Sequence, residues 1–438
     1  MKFSEVAKIL NGELLNFKED FEVSEFSIDS RKVKADSVFV PLKGNRDGHQ
    51  FIEDALKNGA KAYLSENRLN FPNGVIVQDS YKALIEIGIY KRRQTDIIIG
   101  ITGSSGKTST KELLNFVLKY HFKTYATSGN LNNEIGVPLT LANIPKDTEI
   151  AIVEKGAAKK DDIKYLMEIT KPDIGVLTSL AKAHIERFGS FENIVITKGQ
   201  IFDGVKYGVL PSDLIHHYED KEVDFITYGK EGLIKISELK IVEDGTEGVI
   251  CYKSDRIKLK IPIYNIGTFV NIGAVAGVLY TLGLDPIRNL EVLRDFKGFE
   301  GRGDIKHIGR YLIIDESYNA NPLSVKNSIY SFEKIGGIKV YILGDMLELG
   351  EHSKDLHVEV AKTFEESKID YILLYGNEVK HIYNYLKDKK NVVLFEDKRD
   401  MVKFIKNIEG PQIKILVKGS RGMKMEEVIE YLKQFQED

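Results

Sequence analysis

Residues 97–110 read IIIGITGSSGKTST. The apolar run suits a buried strand, a Gly/Ser turn ends it, and Lys107-Thr108 opens the amphipathic segment KTSTKELLNFVLKYH, with Leu113, Leu114, Val117 and Leu118 on one face. The spacing predicts strand, phosphate loop and helix. Glycines let backbone N–H groups turn around an anion, the helix N-terminus adds partial positive charge, Lys107 supplies a point charge, and the Thr108 hydroxyl suits Mg²⁺. A nucleoside triphosphate is therefore expected at Thr102, Gly103, Ser104, Ser105, Gly106, Lys107, Thr108 and Ser109. Ile101 stands five before Gly106, so the loop is the shorter TGSSGKT rather than the common Walker spacing. A plain turn between strand and helix is the competing reading.

A chain of 438 residues exceeds what one core normally serves. With 62 basic and 65 acidic side chains its formal charge is -3, and no global field points to nucleic acid or an anionic membrane. The first fifteen residues, MKFSEVAKILNGELL, hold acidic groups and no apolar run of leader length, and no later run is long enough to span a bilayer. A cytoplasmic protein without membrane insertion is expected. The single cysteine, Cys251, excludes an internal disulfide and a Cys-based zinc site.

Strands alternate with helical patterns after the phosphate loop, which predicts an α/β protein. Three domains are expected: a small mixed α/β domain over 1–84, a central parallel-sheet P-loop ATPase domain over 85–299, and a C-terminal Rossmann-like α/β domain over 300–438. In the first, SIDSRKV (27–33) and KGNRDGHQF (43–51) place Ser30, Arg31, Lys43 and Arg46 at turns, able to grip a diphosphate and ribose or to be solvated surface. In the second, SGNLNNEIGVP (128–138) presents Asn130, Asn132 and Asn133, which suit an uncharged substrate part or a simple turn. Glu154 ends the strand EIAIVE where a Mg²⁺ ligand beside a phosphate loop is wanted. His184 follows the next strand, and Lys198 lies on a mostly apolar helix in NIVITKGQIF (193–202). A structural histidine and a snorkelling lysine are the default readings; a desolvated lysine is instead nucleophilic enough to take up CO₂ as a carbamate. In the third, SYNANP, GDMLELGEHS and VKGSRGMKME follow apolar runs, which is where ligands gather in such sheets.

Taken together these stretches resemble the Mur ligases. SIDSRKV and DGHQFI resemble the uridine-binding domain; TGSSGKTSTKE, GNLNNEIGVPLTL, AHIERFGS and TKGQIF the central ATPase domain; SYNANP, LGDMLELGEHS and VKGSR the C-terminal domain of the D-alanyl-D-alanine-adding branch. The resemblance implies an ATP-dependent amide ligase that joins D-alanyl-D-alanine to UDP-MurNAc-tripeptide through an acyl phosphate, acting as a monomer in peptidoglycan synthesis. It implies that Thr108 and Glu154 hold one Mg²⁺, and His184 with a carbamylated Lys198 a second. It further implies that Lys107, Lys198, His184 and Glu154 are catalytic, that Arg302 reaches the phosphates, that Asn271 faces adenine, and that Asp315 or Glu316 meets the ribose. Tyr318, Asn319 and Asn321 are the implied substrate residues of the third domain, whose closure assembles the site.

Several positions depart from the family pattern: Gln200, Lys155, Glu316, Gly267 and Thr268, and a loop at 44–47 one residue short. A related Mur-type or folylpolyglutamate-type ligase, or a non-catalytic nucleotide-binding paralogue, are the alternative functions. SYNANP and the uridine-type first domain argue against the former.

Overall fold

The computed structural model describes residues 1–181, 185–299 and 301–437. The chain forms two compact units, Met1–Leu233 with Ala274–Pro286, and Ile234–Gly273 with Ile287–Asp438. The architecture is α/β, as the alternating pattern predicts.

The first unit carries two sheets. The smaller runs in the order Glu13–Leu15, Gly74–Ile76, Ala62–Ser65, Val38–Phe39, Phe26–Ser27, with only the first pair antiparallel. The strand Val38–Phe39 is short, as Pro41 has no backbone N–H to give a ladder. Helix Phe3–Ile9 and helix Ser80–Arg92 close the core of this sheet with Phe3, Val6, Leu84 and Ile87.

The larger sheet of that unit is a parallel run in the order Asp224–Gly229, Tyr207–Pro211, Ile174–Leu177, Ile97–Thr102, Ile150–Glu154, Thr124–Ala126. Strand Ile97–Thr102 therefore sits between two partners, with Ile98, Ile99 and Ile101 fully buried, as its unbroken apolar run requires. Helix Lys107–Leu118 follows it and buries Leu113, Leu114, Val117 and Leu118. Each of those side chains contributes about 1.5–3 kcal/mol when removed from water, so loop and helix are anchored from below.

The second unit begins with an antiparallel meander, Ile234–Val242, Gly245–Tyr252 and Asp255–Ile261. Its main sheet runs Asp304–Ile308, Tyr311–Glu316, Ile413–Lys418, Ile338–Gly344, Tyr371–Tyr375, Val392–Phe395, antiparallel only at the first pair. Period-two alternation splits its core: Leu312, Ile314, Tyr341, Leu343 and Leu416 face one side, and Ile313, Val340, Ile342, Ile415 and Val417 face the other. Both sides are covered by helices, which is the doubly wound arrangement. Among the described residues no helix is long and apolar enough to cross a membrane.

Candidate active site

The turn after Ile97–Thr102 needs glycine at two points. Gly103 has φ of +155°, and a Cβ there would lie 2.0 Å from Thr178 Oγ1; Gly106 has φ of +79°. The loop between them is braced from the neighbouring strand end. Ser104 N donates to Ser179 O at 3.0 Å, Ser105 N to Ser179 Oγ at 2.9 Å, and Ser104 Oγ to Ala181 O at 3.2 Å. Thr102 donates its hydroxyl to Lys155 O at 2.9 Å, and Ser109 is buried in the first helical turn. Lys107, the first helical residue, donates from Nζ to Gly103 O at 2.8 Å. Its ammonium is thereby folded over the loop, where an anion would be received.

At the next residue of the helix, Thr108 Oγ1 donates to Glu154 Oε2 at 2.9 Å, and Asn132 Nδ2 donates to Glu154 Oε1 at 2.8 Å. Glu154 is 1% exposed, and Thr127 Oγ1 accepts from its backbone N–H. A hydroxyl and a carboxylate meeting beside a phosphate loop form a hard oxygen donor set, which suits Mg²⁺ better than a soft metal. Asn132 thus orients the carboxylate. Its neighbour Asn133 accepts from Gly136 N at 2.8 Å and ends the turn that starts helix Gly136–Ala142, whereas Asn130 is exposed.

Lys198 closes the other side. It is 4% exposed, near the end of helix Phe191–Gly199, and donates to Gly103 O at 3.2 Å. The snorkelling reading does not hold. Burial first, and the charge of Lys107 second, push its pKa down to about 7. His184 lies outside the described residues. Gln200, at the family's usual Glu position, donates to Asp161 Oδ1 at 2.7 Å and accepts from Lys164 N at 3.1 Å, so here it ties two helices rather than facing the loop.

A second buried lysine carried no sequence expectation of burial. Lys155 is fully buried, its Nζ has no hydrogen-bond partner among the described residues, and a Cβ at Gly100 would approach it to 2.6 Å. Desolvation, then the charge of Arg92, bring its pKa to about 7. The unfolded chain therefore binds a proton between about pH 7 and 10.5 that the folded chain has lost, so stability rises with pH across that window. Below it the fold carries an uncompensated cation. Lys155→Met is expected to stabilise the protein by about 1–3 kcal/mol near neutral pH, with the gain shrinking toward pH 10. Urea melts across that range check it; a gain that does not vary with pH would contradict the assignment.

The charged turns of the first sheet are occupied by one another. Asp29 takes the Arg31 guanidinium at 2.9 Å through two bonds, which holds the Asp29 carboxyl at about 2, while Lys43 pairs with Glu66. His49 accepts at Nε2 from Glu66 N and meets Asp47 at 2.7 Å through Nδ1. Ser30 O accepts from Asn58, and Arg46 is exposed.

In the second unit, Asp315 and Glu316 end the strand Tyr311–Glu316 and are buried at 2% and 5% exposure. Asp315 is bound by Lys306 and by the Ser317 hydroxyl at 2.6 Å, and Glu316 by Lys418 at 2.9 Å on the adjacent strand. Asn321 caps helix Pro322–Phe332 through a reciprocal pair with Ser324, and Asn319 accepts from Ala320 N. Asn271 is buried on helix Ile266–Thr281. Arg302 stacks on Tyr318, its guanidinium carbon 3.6 Å from the ring centroid.

Family models described as Mur ligase family catalytic domain, Mur ligase middle domain, and Mur ligase glutamate ligase domain match residues 22–94, 101–279 and 301–421. The UDP-N-acetylmuramoyl-tripeptide–D-alanyl-D-alanine ligase of Bacillus subtilis strain 168 is 32% identical, with 98% of this chain and 97% of that protein covered. Among solved structures, MurF ligase from Thermotoga maritima in complex with ADP is 30% identical with a TM-score of 0.82, covering 95% of this chain and 98% of that one. MurF from Acinetobacter baumannii is 25% identical with a TM-score of 0.86, covering 98% of both chains.

Proposed function

The chain belongs to the Mur ligase family, and we propose that it uses ATP to join D-alanyl-D-alanine to UDP-MurNAc-tripeptide. The observation that carries the reading is the phosphate loop 103–106 with the Lys107 ammonium folded over it and the Thr108–Glu154 oxygen pair 2.9 Å apart beside it. Full-length similarity to ligases of this name, and to a relative solved with ADP, supports the substrates.

A carboxylate oxygen of the tripeptide attacks the γ-phosphorus, the bond to ADP breaks, and an acyl phosphate forms. The dipeptide amine then attacks the acyl carbon, phosphate leaves, and the amine gives up a proton. The first step brings anions together, so fixed positive charge and alignment are most of what the protein must supply. The helix N-terminus that opens at Lys107 and the Lys107 ammonium hold the β- and γ-phosphates, and Asn132 keeps Glu154 turned toward Thr108. Thr108 and Glu154 are the residues to hold Mg²⁺, which when bound offsets the charge developing on the phosphoryl oxygens. Lys198, taken as its carbamate, and His184 would hold a second ion. The protein of this reading is a cytoplasmic monomer, in which 1–84 binds the uridine substrate, 85–299 binds ATP and 300–438 receives the dipeptide.

Phosphate release that requires ATP, UDP-MurNAc-tripeptide and D-alanyl-D-alanine together is the expected result. Release with glutamate and a folate in their place, or ATP binding with no release under any pairing, would overturn it.

A further inference from the structure

A cleft of about 320 Å³ opens within the second unit, where strands Ile338–Gly344 and Ile413–Lys418 begin. Strand Tyr311–Glu316 runs parallel to the latter, so Asp315 and Glu316 lie at the opposite end of the sheet. The volume is at the lower end of pockets that take small molecules, about 300–1,000 Å³. Ile241 and Glu243 of the meander line it, with Tyr264, Lys334, Gln412 and Lys414. The turn at Gly336 and Gly337 keeps one side open, since a Cβ on Gly336 would meet no atom within 4 Å and Gly337 holds φ of +91°.

Lys414 sets a buried charge in the wall. Its side chain is 2% exposed, and among the described residues its Nζ has one partner, Glu243 Oε1 at 2.7 Å. An ammonium has three donors, so two are unspent. Gln412 Nε2 donates to the same Glu243 oxygen at 3.3 Å. Tyr264 is 2% exposed as well, and among the described residues its hydroxyl has no hydrogen-bond partner. Burial first, and the Glu243 charge second, raise its pKa, so the phenol stays a neutral donor. Glu243 comes from the turn between strands Ile234–Val242 and Gly245–Tyr252, and its side chain is 64% exposed. The Lys414 hydrogen bond holds its carboxyl below the ordinary value, so it is an anion. Keeping a mostly exposed side chain in one rotamer costs entropy, and an anion from solution that reaches more of these donors can displace it.

We propose that this cleft binds a small oxygen dianion, a dicarboxylate or a phosphate, which takes Lys414, Gln412 and the Tyr264 hydroxyl in place of Glu243. Glu243 is then the internal stand-in for the ligand, and it shows which chemistry the wall accepts. With Glu243 displaced, the cleft keeps two cations, Lys414 and the exposed Lys334, which is the reason for two negative charges on the ligand. Ile241 and Ile335 offer apolar surface to a short carbon body. The site uses none of the residues assigned above to nucleotide, metal or substrate, so it stands whether or not the ligase reading does. A buried ammonium left without any carboxylate is costly, and that cost fixes the sign of the test.

Calorimetric titration of the full chain with succinate, inorganic phosphate and uncharged succinamide tests this in wild type, Glu243→Ala, Lys414→Met and Tyr264→Phe. Glu243→Ala is expected to bind succinate or phosphate about 10-fold more tightly than wild type, because the internal competitor is gone. Lys414→Met is expected to weaken that binding by about 10-fold or more and Tyr264→Phe by about 3- to 10-fold, while succinamide does not bind. A preference for succinate identifies a dicarboxylate ligand and a preference for phosphate a phosphate, and either supports the site. Phosphate held at the loop 103–106 is told apart by its survival in Lys414→Met and its indifference to Glu243→Ala. The site is overturned if neither anion binds wild type or Glu243→Ala, if Glu243→Ala binds no more tightly than wild type, or if all binding survives in Lys414→Met. Should Lys414→Met not fold, Glu243→Ala and Tyr264→Phe still decide.

Discussion

Replacing Lys107 with alanine is expected to lower kcat by about 10³-fold, equivalent to about 4 kcal/mol of transition-state stabilisation. The ammonium lies over the loop at 2.8 Å from Gly103 O, where a fixed positive charge stabilises the charge that develops on the phosphoryl oxygens. Nucleotide affinity should fall much less, because the helix N-terminus remains. Single-turnover phosphate release and ADP titration separate the two effects. The fold should survive, since helix Lys107–Leu118 is held by Leu113, Leu114, Val117 and Leu118 rather than by this side chain. A kcat within tenfold of wild type, with ADP binding intact, would remove Lys107 from the mechanism.

The phosphate loop was legible because everything it needs is contiguous: an apolar strand, glycines at the turn and a helix whose apolar face has helical period. The sheets of the second unit were legible for a similar reason, since strands such as Tyr311–Glu316, Ile338–Gly344 and Ile413–Lys418 are short apolar runs that end just before the polar motifs. Partnerships across the chain were not. Asn132 and Glu154 are 22 positions apart, and nothing local says that the amide of one turns the carboxylate of the other. Asn133, read from its setting in a polar loop, and Asn321, implied by the resemblance, also close local turns with their side-chain oxygens, and those caps were not legible because short amides serve caps as readily as ligands. The burial of Lys155 was invisible for a different reason. Its position one past the end of a strand looks like a solvated turn, and only the missing side chain of Gly100 on the adjacent strand makes room for it.

Lys198→Ala is expected to lower turnover by about 100-fold or more, and acetate or formate in the assay to restore part of it. An ordinary lysine near pH 7.5 is a free amine in only about one molecule in a thousand. Lys198, with its pKa at about 7, is largely neutral there and so competent to take up CO₂. The neutral amine forms an N–C bond with CO₂ and releases one proton, leaving a carbamate, so a neutral group becomes an anion. The Lys107 charge that disfavours the ammonium of Lys198 favours that anion, so one neighbour acts in the same direction on both steps. Removing the side chain leaves a cavity beside Gly103 lined by the loop, and a small carboxylate can enter where the carbamate stood. A second readout does not depend on catalysis: protein equilibrated with ¹³C-bicarbonate should show a carbamate carbon resonance that is absent in Lys198→Ala and that grows as pH rises through 7, because both deprotonation and carbamate formation are favoured in that direction. Full activity of Lys198→Ala, or loss without either rescue or a labelled resonance in wild type, would mean that the buried amine serves only its hydrogen bond to Gly103 O.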